Sequence, residues 1–299
     1  MIQAEQLSKR FGEIQAVHEV NLTIRNGEIF GLIGSNGAGK STFLRMLSGI
    51  YRPDSGKLTI DEETVFENVA VKKRCFYISD DQYFFNNTTA EELKNYYRMF
   101  YENFDEKRFS ELMKGFDLDP KRKIRTFSKG MKKQVSVICG ICSHVDYLFC
   151  DETFDGLDPV ARQAVKALIA EDVADRGLTP VIASHNLREL EDICDHVGLL
   201  HKGGILLSQD LEELRIGIHK IQCVFPEAKN EQDFQCLDVL NMNQRGSLYT
   251  IVARGTEQAI LDCVNAMNPV FCEILPLTLE EIFINETEVV GYDIKKLIF

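Results

Sequence analysis

Gly34-Ser35-Asn36-Gly37-Ala38-Gly39-Lys40-Ser41 follows the apolar run 29–33 and precedes Phe43-Leu44-Arg45-Met46-Leu47, so G-x-x-x-x-G-K-S stands between a predicted strand and a predicted helix. The glycines allow the backbone to curl until successive N–H groups face inward on a nucleotide's phosphates, with the positive end of the helix beneath them. Lys40 is placed to reach the β- and γ-phosphates, and Ser41, with Thr42 beside it, puts a hydroxyl where Mg²⁺ takes an oxygen ligand. A glycine-rich turn that only caps a helix is the plain alternative, but every fixed position and the strand-loop-helix setting speak against it. Alone, the loop implies a nucleoside triphosphate and nothing more.

Upstream, segment 2–11 alternates loosely and 20–24 reads as a second strand. Phe11 is a candidate platform for a base, since an aromatic face stacks without needing hydrogen bonds; a core phenylalanine is the other reading. Downstream, 57–60 and 75–78 are strands, and a polar loop Ser79-Asp80-Asp81-Gln82 follows. From 89 to 115 the period turns helical, with Leu93, Tyr96, Tyr97, Phe100 and Tyr101 on one face and Phe109, Leu112, Met113 and Phe116 on another. That is a helical insertion in an α/β core. Its aromatic stripe reads first as packing, with a partner contact as the second possibility.

Ser128, in Phe127-Ser128-Lys129-Gly130-Met131, is an N-cap candidate that opens a long helix and leaves N–H groups free for an anion. The apolar strand 145–150 runs into Asp151-Glu152. Asp151 is suited to Mg²⁺, usually through water, and Glu152 to polarising the water that attacks a γ-phosphate. A helix starts at Pro159, a strand spans 180–183, and His185 after it is placed to sense the γ-phosphate. Strand-end carboxylates and a lone histidine are each commonplace. Their succession at strand ends is informative, because ligands sit outside the carboxyl ends of parallel strands.

The 299 residues, 44% hydrophobic, suffice for one large or two moderate domains. A formal net charge of −12 argues against broad binding to nucleic acid, while leaving room for a local basic patch. The short basic run 121–125 follows Asp117 and Asp119 and reads as a solvated loop. No apolar run is long enough to span a membrane. Met1-Ile2-Gln3-Ala4-Glu5 has no signal-like character, so the expected compartment is the cytoplasm. Nine cysteines without a disulfide-like framework fit reducing conditions and core packing. Cys139 and Cys142 have the spacing of a redox or zinc pair, but they fall in a predicted helix among apolar neighbours and without a second pair, so burial is the preferred reading.

With these motifs in this order, residues 1 to about 215 resemble the nucleotide-binding subunit of an ATP-binding cassette (ABC) transporter. Phe127 to Met131 resembles the signature usually written LSGGQ, Asp155-Gly156-Leu157-Asp158-Pro159 the D-loop, and Ser184-His185 the switch histidine. The resemblance implies a P-loop NTPase fold of the ABC type at 1–215, with its helical subdomain at about 86–143. It further implies two subunits arranged head to tail around two ATP, in which Ser128 and Gly130 bind the γ-phosphate in trans. Phe11 gains weight as the adenine platform, and Asp158 joins the nucleotide-facing set. Phe127, Lys129 and Met131 stand where Leu, Gly and Gln are usual, but Ser128 and Gly130 remain, so activity is expected. In the Q-loop the best register puts Asp80 where a glutamine is usual and Gln82 two positions late; Asp80 is preferred, and either could serve the metal.

Beyond 215 the pattern changes to strands at 221–225, 237–241, 248–252 and 270–274 with a helix at 257–267, a small α+β domain over 216–299. Pro276-Leu277-Thr278-Leu279-Glu280-Glu281-Ile282-Phe283 resembles the C-terminal segment of ATPase subunits from bacterial drug, lantibiotic and bacitracin type exporters, although a terminal amphipathic helix accounts for it equally well. The implied function is a motor that drives a separate membrane permease from its inner face, as a homodimer or with a second ATPase subunit, without nucleic acid. A soluble cassette-type scaffold ATPase, as in iron-sulfur cluster assembly, is the alternative. DNA-repair and translation ATPases are disfavoured, since those carry a long coiled coil or two cassettes in one chain.

Overall fold

The computed structural model describes residues 1–278 and 280–282. Contacts divide the chain into one unit spanning Met1–Ser208 and a second that begins at Gln209.

In the first unit an antiparallel sheet is ordered β2-β1-β4-β5, with β1 at Ile2–Phe11, β2 at Ile14–Ile24, β4 at Ser55–Ile60 and β5 at Glu63–Thr64. A second sheet is ordered β10-β9-β3-β8-β7-β6. Its strands are β3 (Phe30–Ile33), β6 (Cys75–Ile78), β7 (Tyr147–Asp151), β8 (Thr179–Ser184), β9 (His196–His201) and β10 (Gly204–Asp210), the last of which runs past Ser208 to the start of the second unit. The pairs β3/β8, β3/β9, β6/β7 and β7/β8 are parallel. All residues of β3, β7 and β8 are buried, which is why these strands read as continuous apolar runs rather than alternating ones. Helix α1 (Lys40–Leu47) joins Phe43, Leu44, Met46 and Leu47 to one core with β1, β2, β3, β4, β7 and β8.

Short helices α2 (Val69–Lys73) and α7 (Leu187–Glu191) pack against β6 and β8, and α6 (Pro159–Arg176) crosses from β7 to β8. Asp158 caps α6, with Pro159 in its first turn and Gly177 in the left-handed conformation at its end. The helical insertion holds α3 (Ala90–Arg98), α4 (Glu106–Gly115) and α5 (Lys129–Cys142). The helical period over 89–115 is thus two helices, because Asp105 accepts a hydrogen bond from Arg108 N at 2.8 Å and starts α4 afresh. Leu93, Phe109 and Met113 are buried, whereas Phe85, Tyr96 and Phe100 face outward. Tyr97 and Tyr101 pack on Phe76, at ring separations of 5.0 and 5.6 Å.

The second unit opens with α8 (Leu211–Gly217). Its antiparallel sheet is ordered β12-β13-β11-β14, with β11 at Ile218–Val224, β12 at Asp238–Arg245, β13 at Leu248–Arg254 and β14 at Phe271–Leu275. Helix α9 (Glu257–Asn265) packs Ile260 and Val264 on Ile221, Cys223, Ile251 and Ala253. Within the resemblance at 276–283, Thr278 and Glu281 form a reciprocal helix cap, at 3.2 and 3.1 Å. Leu279, Phe283 and the tail Gly291-Tyr292-Asp293 lie outside the described residues.

One expectation requires correction. Cys236 and Cys263 form a disulfide, their Cα atoms 6.2 Å apart across a sequence separation of 27. Spacing alone did not reveal it, because only the packing of the segment before β12 against α9 brings the two together. Cys75, Cys139, Cys142, Cys150, Cys194 and Cys223 are free and buried.

Candidate functional site

The phosphate loop is built where β3 ends and α1 begins. Gly39 has φ of 110°, and a Cβ there would lie 2.2 Å from the carbonyl oxygen of Ala16 on β2. Only glycine fits that position. At Gly34 a Cβ would stand 2.4 Å from Leu200 O on β9, so the loop is pressed against its neighbours at both ends. Ala38 N donates to Ser35 O at 3.1 Å and Gly203 N to Ala38 O at 2.9 Å, which fixes the curl between them. Asn36 and Gly37 at the crest are exposed, and Gly37 also has a positive φ.

Lys40, 5% exposed, lies across this loop. Its ammonium donates to Gly34 O at 2.7 Å and Ser35 O at 3.2 Å and pairs with Glu152 Oε1 at 3.2 Å. Ser41 Oγ donates to Asp151 Oδ1 at 3.0 Å, while Tyr77 from β6 donates its hydroxyl to Asp151 Oδ2 at 3.0 Å. Burial raises the Asp151 carboxyl above its ordinary value against these two bonds, and the Tyr77 hydroxyl is pushed up to about 12, chiefly by burial. A buried carboxylate beside a hydroxyl, next to a phosphate loop, suits Mg²⁺, which takes few protein oxygens and has the charge to favour the ionised acid.

Glu152 follows directly in the left-handed region at φ 47°, a conformation that costs a non-glycine residue about 1–2 kcal/mol. Its amide donates to Ala183 O at 3.0 Å and its carbonyl accepts from Asp155 N at 3.3 Å. Its Oε2 lies 2.8 Å from His185 Nδ1. Ser184 Oγ donates to the buried Glu189 at 2.9 Å, which anchors the strand end that carries His185. Lys40, Ser41, Asp151, Glu152 and His185 therefore meet at the carboxyl ends of β3, β7 and β8.

Ser128 caps α5 by accepting from Met131 N at 3.1 Å. A Cβ on Gly130 would lie 2.8 Å from Gly156 O, so this turn packs against the loop 155–158, and Lys129 pairs with Asp155 at 2.7 Å. That bond holds the Asp155 carboxyl below its ordinary value. Asp158 spends Oδ1 on Ala161 N at 2.9 Å. Phe11, 41% exposed, stands edge-on to Tyr51 with ring centroids 5.3 Å apart. Ser128, Gly130, Asp158 and Phe11 do not join the Lys40 cluster. Cys139 and Cys142 are buried in α5, and burial pushes the Cys142 thiol up to about 12.

Asp80 and Gln82 are separated by their partners. The Asp80 carboxylate pairs with Lys133 at 3.1 Å, whereas Gln82 Nε2 is buried with no hydrogen-bond partner among the described residues. Lys133 and Tyr77 were missed from sequence. For Lys133 a signal existed: it stands four residues before Val137 and eight before Ile141, both fully buried, so a charged side chain occupies a core-facing row of α5.

A phosphate loop after one parallel strand, with an acidic pair ending a nearby strand and a histidine after the strand between them, defines a P-loop nucleoside triphosphatase. The model of the ABC transporter family matches residues 17–155. Over 288 residues the chain is 33% identical to the ABC transporter ATP-binding protein YtrB of Bacillus subtilis (strain 168), which covers 95% of this chain and 97% of that protein. The chain belongs to the ATP-binding subunits of ABC transporters and is an ATPase of that family.

It is also 31% identical over 218 residues to the bacitracin transport ATP-binding protein BcrA of Bacillus licheniformis, covering 72% and 71% of the two chains. A solved ATP-binding subunit of an ABC transporter, 27% identical, superposes with a TM-score of 0.66 over 72% of this chain and 92% of that one. A dimeric ABC cassette bound to ADP and Pi, 21% identical, shares the fold at a TM-score of 0.63 over 71% and 99%. Subunits of this family work with membrane permeases and dimerise. These relatives support a transport motor rather than a scaffold ATPase. Among the described residues no helix is long and apolar enough to cross a membrane.

Proposed function

We propose that the chain is the motor of an exporter, acting from the cytoplasmic face on a separate integral membrane permease. The observation that carries the motor part of this reading is the meeting of Lys40, Ser41, Asp151, Glu152 and His185 at adjoining strand ends, which equips the chain to hydrolyse ATP. Residues 34–42 hold the phosphates, Lys40 exchanging its carbonyl and Glu152 partners for phosphate oxygens. Ser41 and Asp151 hold Mg²⁺, with Asp80 or Gln82 beside them. Bound there, the ion would withdraw charge from the phosphates. Glu152 accepts a proton from the attacking water, and His185, already 2.8 Å from it, holds its carboxylate in place and meets the γ-phosphate.

Phe11, projecting beside Tyr51, offers its face to the adenine. Ser128 and Gly130 stand apart from the Lys40 cluster at the start of α5, which suits contact with the ATP of a partner subunit, with Asp158 on the adjoining loop. The partner is a second copy or a related ATPase. Residues 1–215 form the nucleotide-binding domain and 216–299 an accessory one. Export of a peptide, antimicrobial or drug-like compound is favoured by the bacitracin transport relative and by LnrL, a linearmycin resistance ATP-binding protein of Bacillus subtilis that is 30% identical over 212 residues.

The test is coexpression with the genes that neighbour its own, followed by affinity purification from detergent-solubilised membranes. An integral membrane protein should copurify and stimulate ATP turnover. A chain that stays alone and unstimulated rejects the motor assignment.

A further inference from the structure

We propose that Lys133 is a positioning residue for hydrolysis, gripping the main chain of Glu152 and the carboxylate of Asp80 at once. This rests on Glu152 being the group that accepts the proton from water. The Lys133 side chain is 1% exposed, and its ammonium donates to Glu152 O and pairs with Asp80 Oδ1 at 3.1 Å. A buried lysine forfeits the hydration of its charge and the freedom of its stem, so it persists where fixed acceptors replace water. Both acceptors are strand-end groups: Asp80 lies two residues past β6, and Glu152 one past β7, its parallel neighbour.

The Glu152 carboxylate is placed by its backbone. With φ at 47° the residue sits in a region that other residues rarely occupy, and its direction depends on what holds the two flanking peptides. Ala183 O holds the preceding one through the Glu152 amide. The following one is held by Asp155 N at 3.3 Å and by Lys133. Without Lys133 only the longer bond would remain on that carbonyl, and Asp80 would lose its cation. The same helix is capped by Ser128, so the element that would meet a partner's ATP also holds the main chain that carries this subunit's own Glu152.

Lys133→Met keeps the stem and removes the charge and donors. ATP turnover should fall about 10- to 100-fold while KM changes less than about threefold, because nucleotide contacts are intact and only the reacting geometry is lost. In a Glu152→Gln background the same change should lower single-turnover hydrolysis by no more than about twofold, since residues acting as a unit are not additive. Lys133→Gln, whose amide keeps a donor, should fall between; should Lys133→Met not fold, the cycle is read with Lys133→Gln. Turnover within about twofold of wild type, or losses that add in full to Glu152→Gln, would overturn the proposal. If Glu152→Gln itself hydrolyses ATP at the wild-type rate, the reading of Glu152 fails instead, so the two failures are distinguishable.

Discussion

Replacing Glu152 by Gln should change binding and turnover in opposite directions. In the structure Glu152 Oε1 lies 3.2 Å from the Lys40 ammonium, and both side chains are buried. At that distance the Coulomb attraction is about 5 kcal/mol for an effective dielectric constant near 20. Desolvation of two buried ions offsets much of it, leaving about 1–3 kcal/mol. ATP must displace this pair when its phosphates engage Lys40, and the anionic carboxylate then faces an anionic phosphate. Gln keeps the size and a hydrogen bond to His185 but removes both penalties, so ATP should bind about 5- to 150-fold more tightly. Turnover should fall about 10²–10⁴-fold with the loss of the proton acceptor. Titration with a fluorescent ATP analogue and single-turnover phosphate release measure the two effects separately. ATP affinity equal to or weaker than wild type would refute the Lys40–Glu152 competition, and turnover within about threefold would refute the role of Glu152 in hydrolysis.

Ser128→Arg should leave ATP binding to the isolated subunit unchanged and abolish ATP-dependent dimerisation in sedimentation; lost binding to the monomer would place Ser128 in its own subunit's site. Burial alone would raise the Asp61 carboxyl, but bonds from the amino terminus, Arg74, Tyr147 and Asn26 outweigh it and hold it well below the usual carboxylate range. A depressed folded-state value adds stability above the unfolded value near 4 that is lost as pH falls toward the folded one. Asp61→Asn should thus cost about 1–2 kcal/mol at pH 7, allowing for its partial exposure, and progressively less below about pH 4 in denaturant titrations. A cost independent of pH would contradict this. Cys236→Ser opens a crosslink spanning 27 residues and should lower the stability of the second unit by up to about 3.5 kcal/mol under oxidising conditions, and not at all in reductant. An equal loss in both conditions would show that packing, not the crosslink, is responsible.

The phosphate loop and the strand-end acids were legible because their chemistry demands fixed residue types at fixed places along a strand-loop-helix path. Buried parallel strands helped, since every residue of β7 and β8 is buried and their apolar stretches stop at Asp151 and Ser184. What escaped were groups whose roles depend on packing between distant segments. Tyr77 looks like one more aromatic in β6, and only the register of β6 with β7 sets its hydroxyl against Asp151. Cys236 and Cys263 meet only after α9 docks on its sheet. Asp80 and Gln82 differ by two positions in one polar loop, and partner geometry rather than spacing separates them.

Helix α5 shows why a motif can be necessary and still incomplete. Its first turn offers Ser128 and Gly130, and the space beside Gly130 is closed by Gly156 O, so the turn cannot shift without moving the loop that leads to Asp158. One turn further along, Lys133 grips Glu152. A displacement at the helix start would therefore reach the acidic strand end through a single helix, the kind of coupling the proposed nucleotide-driven dimer needs. On this reading the loop at 34–41 is one wall of a site whose other wall is a partner's α5, and each α5 connects the ATP it would touch across the interface to the ATP its own subunit holds.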